Sequence, residues 1–242
     1  MNTEQLTDKL VSWIKEKVLS GGCQGVVIGL SGGLDSSVLA VLCQQAFPQN
    51  TLAVYLPCYS SAEDTEHAHM VASKFAIPIR EIVLDDTYQN LLSTLPDFPA
   101  DPTAGKLAQA NLKVRLRMVV LYYMANQLNY MVAGSSNRSE LATGYFTKYG
   151  DGGVDLLPLG NLLKGQVVAL AKSLGIPRPI IDKPPSAGLW TGQTDETEMG
   201  FSYEQLDRYL LTGEAPAELK NKIEAMIANS NHKRSLPPVA KL

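Results

Sequence analysis

The sequence is poor in cysteine and histidine, and its basic residues do not exceed its acidic ones. Cys23, Cys43 and Cys58 are its three cysteines. None belongs to a Cys-x-x-Cys pair, and an odd number makes no disulfide framework. They read as small buried hydrophobes in a reducing compartment. The three histidines, His67, His69 and His232, are too few and too scattered for a zinc site. His67 and His69 sit two apart on an expected helix and so point in different directions. Lys and Arg number 21 against 24 Asp and Glu, a net charge of −3. That argues against a protein whose main task is to hold nucleic-acid backbone. No apolar run reaches membrane-spanning length. The polar stretch from Met1 to Lys9 lacks the basic-then-apolar order of a signal peptide. A cytoplasmic protein is expected, with neither nucleic acid nor a membrane as partner.

What is present suits a globular enzyme. A chain of 242 residues, 45% hydrophobic, can bury the core of one sizeable α/β domain. Leu6, Leu10, Ile14 and Val18 recur at helical spacing, predicting a helix over 3–19 that ends at Gly21 and Gly22. Apolar runs at 25–30, 51–56, 78–84 and 130–133 read as strands. Helices are expected at 36–46, 63–75, 106–127 and 164–174, with two short ones near 203–211 and 216–229. The alternation predicts an open, doubly wound parallel sheet with helices on both faces. Loops are expected at 97–105, 144–161 and 182–200, the last long enough to suggest a mobile lid. No repeat or linker divides the chain, so 1–242 reads as a single domain.

The strongest chemical signal is Ser31-Gly32-Gly33-Leu34-Asp35-Ser36, between an expected strand and an expected helix. Gly32 and Gly33 let backbone approach a phosphate with no Cβ in the way. The free N–H groups of the helix start then face the anion, and Ser31, Ser36 and Ser37 add hydroxyls. Asp35 among phosphates makes sense if Mg²⁺ lies between them. The loop lacks the Gly-Lys-Ser/Thr ending of the Walker loop and the G-x-G-x-x-G spacing of the dinucleotide fingerprint. It resembles instead the pyrophosphatase loop, whose enzymes cleave ATP between the α- and β-phosphates and adenylate an acceptor.

Later segments narrow the acceptor. Asn111-Leu-Lys-Val-Arg115-Leu-Arg117-Met118, Gly134-Ser135-Ser136-Asn137-Arg138-Ser139-Glu140 and Thr147-Lys148-Tyr149-Gly150-Asp151-Gly152-Gly153-Val154-Asp155 follow one another. Then come Pro158-Leu159 leading to Lys164, Lys183-Pro-Pro-Ser186, Gly192-Gln-Thr-Asp195-Glu196 and His232-Lys233-Arg234. In this order, over residues 29–234, they resemble the ammonia-dependent NAD synthetases. The Lys-Tyr-Gly-Asp-Gly-Gly-x-Asp run is the most specific match. Ser135 and Ser186 stand where many members have threonine, which keeps the hydroxyl. The segment 59–64 matches loosely, so contacts to the adenosine of ATP are not assigned.

The resemblance implies ATP-dependent amidation of deamido-NAD by ammonia through an adenylated intermediate, with AMP and pyrophosphate released. It implies ATP contacts at Gly29, Leu30, Ser31, Gly32, Gly33, Leu34, Asp35, Ser36, Ser135, Lys164 and Ser186. Mg²⁺ would be held by Asp35 and Glu140. Deamido-NAD would meet Arg115, Lys148, Asp155, His232 and Lys233, across a homodimer interface. Glutamine-using relatives carry an added amidase domain, for which these residues leave no room. Free ammonia or a separate subunit is therefore the expected nitrogen source.

Several positions keep a second reading. Asp151 could bind ammonium or take its proton, or serve as a turn residue in Gly-Asp-Gly-Gly. Asp195 and Glu196 could merely solvate a loop, and 232–234 could be a loose basic tail. On the long helix Asn111 and Arg115 share one face, Lys113 and Arg117 another. Arg117 is then expected in a structural or interface ion pair. Apolar residues surround most of 118–124, which suits a dimer seam or a core helix equally. The competing functions are another adenylating enzyme of the loop class and a non-catalytic adenine-nucleotide module.

Overall fold

The computed structural model describes residues 2–96, 101–188, 190 and 192–240. Helix α1 (Thr3–Ser20) leads to β1 (Gly25–Gly29), α2 (Leu34–Ala46), β2 (Thr51–Tyr55), α3 (Ala62–Lys74) and β3 (Ile79–Glu81). Then come α4 (Asp85–Thr94), the long α5 (Pro102–Leu128), β4 (Tyr130–Ala133) and the short α6 (Arg138–Thr143). The remainder is helical: α7 (Lys164–Leu174), α8 (Arg178–Ile181), α9 (Asp195–Met199), α10 (Tyr203–Thr212), α11 (Ala217–Asn229) and α12 (Asn231–Arg234).

The four strands form one parallel sheet in the order β3-β2-β1-β4. Strands buried on both faces send alternate side chains to opposite sides. Val26, Ile28, Ala53, Tyr55 and Ala133 enter a core built with α1, α2, α3 and α7. Val27, Val54 and Val132 enter a second core under α4 and α5. This is the doubly wound sheet expected from the alternation. A third, smaller cluster (Met199, Phe201, Tyr203, Leu206 and Ile223) joins α9, α10 and α11.

The order of the sheet decides where a ligand can sit. From β1 the chain steps to β2 and β3 on one side and later returns to β4 on the other. Between β1 and β4 the connections therefore leave in opposite directions, and a crevice opens beyond the strands' carboxyl ends. The loops after β1 (Leu30–Gly33) and after β4 (Gly134–Asn137) both lie at this switch point.

Some expectations are corrected. Of the strand expected at 78–84, Ile79–Glu81 form regular strand at the edge of the sheet, while Ile82 and Leu84 N–H continue the hydrogen bonding to Tyr55 O and Pro57 O. Of the loop expected at 97–105, residues 97–100 lie outside the described residues. Asp101 instead caps α5 by accepting from Ala104 N–H, so the helix starts at 102. The expected loop 182–200, of which 189 and 191 lie outside the described residues, contains α9. His67 is buried while His69 meets Glu81 at 3.0 Å on the surface, so the two do diverge.

Candidate active site

The phosphate loop is shaped by its own hydroxyls. Ser36 Oγ lies 3.0 Å from Ser31 Oγ and donates to Gly33 O at 3.0 Å. Ser37 Oγ donates to Gly33 O at 2.7 Å. Gly33 occupies the N-cap of α2 and makes no side-chain cap, leaving the first-turn N–H groups open to a ligand. Gly32 has φ +83°, and a Cβ there would come 2.3 Å from the Asp64 carbonyl oxygen. Only glycine lets α3 approach the loop so closely.

Asp35, in the first turn of α2, turns into the crevice. Its Oδ1 accepts from Asn137 Nδ2 at 3.0 Å and its Oδ2 pairs with Lys164 Nζ. Lys164 opens α7, is almost fully buried, and its Nζ also stands 3.6 Å from Glu140 Oε1. Glu140 is held by a capping box at the start of α6. Its N–H donates to Asn137 Oδ1, and its Oε2 accepts from Asn137 N–H at 3.1 Å. Two carboxylates from distant parts of the chain therefore face one buried ammonium. Burial and the Asp35 charge push the Glu140 pKa up to about 8. Burial alone would lower the Lys164 pKa, but Asp35 and Glu140 outweigh it and raise it.

Tyr203 and Asp195 close the cluster from the other side. The Tyr203 ring lies 5.1 Å from Lys164 Nζ, and its hydroxyl donates to Asp195 Oδ2 at 2.9 Å. Asp195 is buried, not a solvating loop residue, and burial raises its pKa. Its Oδ1 is buried with no hydrogen-bond partner. The sequence pattern did not single out Tyr203, and it left Asp195 as a loop charge. Asp195 was signalled by its place in the matched segment 192–196 without a role attached, and Tyr203 only by lying just after a polar stretch.

This donor set suits a hard cation. It offers carboxylate oxygens only, plus an orphaned buried oxygen beside them, with an ammonium already drawn between the acids. Among the described residues no three His, Cys, Asp or Glu side chains are gathered into a ready cage. Asp35 and Glu140 would then hold Mg²⁺ jointly with substrate phosphates, as that ion commonly requires.

A second cluster lies along the loop after α6. As the helix periodicity predicts, Asn111 and Arg115 address one target. Thr147 Oγ1 donates to Asn111 Oδ1 at 2.6 Å, and Arg115 Nε donates to Lys148 O at 3.3 Å. Lys113 and Arg117 face elsewhere, Lys113 over the Tyr59 and Tyr88 rings. Arg117 takes a structural place: its Nε donates to the Leu56 carbonyl at 2.9 Å, tying α5 to the end of β2, and among the described residues it makes no ion pair within the chain. Asp151 Oδ1 accepts from Thr147 N–H at 2.8 Å, and desolvation of its carboxyl raises its pKa.

The C-terminal basic segment is docked. Lys148 Nζ donates to His232 O at 2.6 Å. Lys233 Nζ donates to Gly144 O and Phe146 O, both at 2.8 Å, and burial lowers its pKa. Arg234 reaches Leu141 O, Ala142 O and Ile227 O. Arg115, Lys148 and Lys233 are thus brought to one loop, which the His232 carbonyl also joins, His232 itself being exposed. Asp155 is placed differently. Its oxygens accept from Tyr122 Oη at 3.0 Å and Val132 N–H at 2.8 Å, so it pins its loop to α5 and β4. Ser135 is half-buried at the crevice, and Ser186 is exposed, its Oγ accepting from Gly188 N–H.

The sequence model of the NAD synthase family matches residues 6–237. The chain belongs to that family. An NH3-dependent NAD+ synthetase from Carboxydothermus hydrogenoformans is 51% identical, over 100% of this chain and 99% of its own. Among solved structures, an NMN synthetase from Francisella tularensis has a TM-score of 0.94 at 37% identity, covering 100% of both chains. An NH3-dependent NAD synthetase from Campylobacter jejuni has a TM-score of 0.81 at 29% identity, also covering 100% of both. Membership agrees with the pyrophosphatase-loop reading.

Proposed function

We propose that this chain amidates deamido-NAD to NAD with ammonia at the expense of ATP, releasing AMP and pyrophosphate. The observation that carries this is the buried Asp35–Lys164–Glu140 cluster beside an open helix N-terminus. A non-catalytic nucleotide module has little use for two buried carboxylates there. Residues 29–36 hold the ATP phosphates, with Ser135, Lys164 and Ser186 completing the ATP contacts. Asp35 and Glu140 hold Mg²⁺, which when bound offsets charge on the phosphate oxygens and the leaving group. Lys164 counters the charge of both acids.

The nicotinate carboxylate attacks the α-phosphorus and pyrophosphate leaves. Ammonia then attacks the acyl carbon, its surplus proton departs, and AMP leaves. Positioning and electrostatics suffice, without a protein nucleophile. Arg115, Lys148 and Lys233 form the cationic ground for the acceptor's phosphates, with His232 beside them. Asp155 supports that loop from below. Asp151, with its raised pKa, is suited to take a proton from ammonium. The whole of 1–242 acts as one synthetase domain, in the cytoplasm. Among the described residues no helix is long and apolar enough to cross a membrane.

Two copies pair through the outer face of α5. A coupled assay with ATP, Mg²⁺, deamido-NAD and ammonium tests the reading by following NAD, AMP and pyrophosphate together. Equal amounts of all three, with glutamine unable to replace ammonium, are expected. Pyrophosphate without NAD would mean a different acceptor. One observation favours such a second reading, the TM-score of 0.94 with an NMN synthetase. It would make the acceptor a mononucleotide, so the same assay is run with nicotinate mononucleotide in place of deamido-NAD.

A further inference from the structure

Lys164 is the first residue of α7, so its reach to Asp35 and Glu140 depends on how that first turn is held. The N-cap residue, Leu163, has no side-chain oxygen to offer the turn's N–H groups. The Gly165 N–H is met from another element, by Asp207 Oδ2 of α10 at 2.8 Å. The other oxygen, Asp207 Oδ1, accepts from the Ser139 hydroxyl at 2.5 Å. That hydroxyl oxygen in turn accepts from the Lys164 N–H at 3.1 Å. Ser139 is fully buried and directly precedes Glu140. A second strut runs beside this one, Arg138 Nη2 donating to Leu210 O of α10 at 3.1 Å. A carboxylate at a helix start is further favoured by the helix dipole.

One side chain of α10 therefore fastens the backbone next to both Lys164 and Glu140, yet it contacts neither of their charged groups. We propose that Asp207 is a positioning residue for the ATP and metal half of the site. Through Ser139 and the first turn of α7, it fixes the separation of Glu140 from Lys164. The inference rests on the reading above, in which those two residues serve ATP and Mg²⁺. It also carries a selectivity. The acceptor cluster is built on α5, the loop after α6 and α12, none of which Asp207 touches. Loss of Asp207 should weaken Mg·ATP and spare the acceptor.

Asp207→Asn keeps the shape but replaces one acceptor oxygen by a donor, which faces either the Gly165 N–H or the Ser139 hydroxyl. Calorimetric titration of Mg·ATP into the full chain, without acceptor, should show binding weakened on the order of tenfold, as for other outer partners of metal sites. In steady-state kinetics KM for ATP should rise with it, while KM for deamido-NAD stays within about twofold. A merely destabilised protein would lose active fraction with both KM values unmoved. Ser139→Ala should reproduce the split, and the double variant should be no worse than the worse single one. If Asp207→Asn does not fold, Ser139→Ala decides alone. Wild-type binding of Mg·ATP by both variants, or an equal rise in both KM values, overturns the inference alone. A wild-type protein that binds no Mg·ATP overturns the functional reading and the inference with it.

Discussion

Burial and the neighbouring Asp35 carboxylate give Glu140 a pKa of about 8, against 4.5 for the unperturbed group. Without metal, the folded protein keeps a proton that the unfolded chain has released across that interval. Stability therefore falls as pH rises from about 4.5 to about 8. Lys164 acts in the same direction but in a different window, because its raised pKa gives stability that is lost only as pH rises above its ordinary 10.5. Glu140→Gln should flatten the slope between pH 4.5 and 8 in thermal unfolding with chelator present. Identical slopes in the two proteins would defeat this account. The same variant should raise the Mg²⁺ concentration needed for half-maximal activity by at least about tenfold. Asp151→Asn should lower kcat/KM for ammonium, and an unchanged ammonium dependence would leave Asp151 a turn residue. At this scale Asp35 was readable from the phosphate loop itself, whereas Glu140 and Lys164 were named only through the resemblance to the NAD synthetases. Asp207 was not readable, and Asp195 was named within a matched segment but with no role. Each lies in a stretch whose polarity looks like a solvated surface, and its role comes from Tyr203, Ser139 or Gly165 meeting it in space.

Elements with their own hydrophobic period were readable, and elements held by partners were not. The pattern predicted α1, α2, α5 and the central strands, since their apolar faces are written locally. α6 has six residues and no face to read. It persists because Asn137 caps its start and Arg234 binds the carbonyls of its last turn. α12 exists for the same contacts seen from the other end. Replacing Arg234 by Ala should cost about 1 kcal/mol, discounted because its side chain is exposed to water. Chemical denaturation would measure it, and KM for deamido-NAD should rise as Lys233 and Lys148 lose their anchorage. Gly32→Ala tests the close approach of α3. The clash with the Asp64 carbonyl and the positive φ together should cost about 1–3 kcal/mol and abolish ATP binding. Retained binding would show that the loop has room it is not expected to have.

For the molecule as a whole, α5 divides its apolar surround between a buried side and an exposed one. Met118 and Leu121 enter the sheet's second core, whereas Val119 and Tyr123 remain 67% and 63% exposed. The helix thus has a core side and an unpaired apolar side. Val119→Lys should convert a dimer to monomer in analytical ultracentrifugation and lower activity, and an unaltered sedimentation coefficient would remove α5 from the interface. Doubly wound architecture was legible from the order of segments alone. The extent of the edge strand was not, because three paired residues suffice where only one neighbour exists.

The strand order also has a history during synthesis. β1 finds β2 about one helix later, but its other edge waits for β4, whose Tyr130 pairs with Gly25. A nascent chain that has emerged only as far as α4 presents the most apolar strand of the protein with one flank bare, a template for the wrong partner. Long-range closure of this kind is slow. The ribosome must deliver α5 and β4 before the first strand it made is safe.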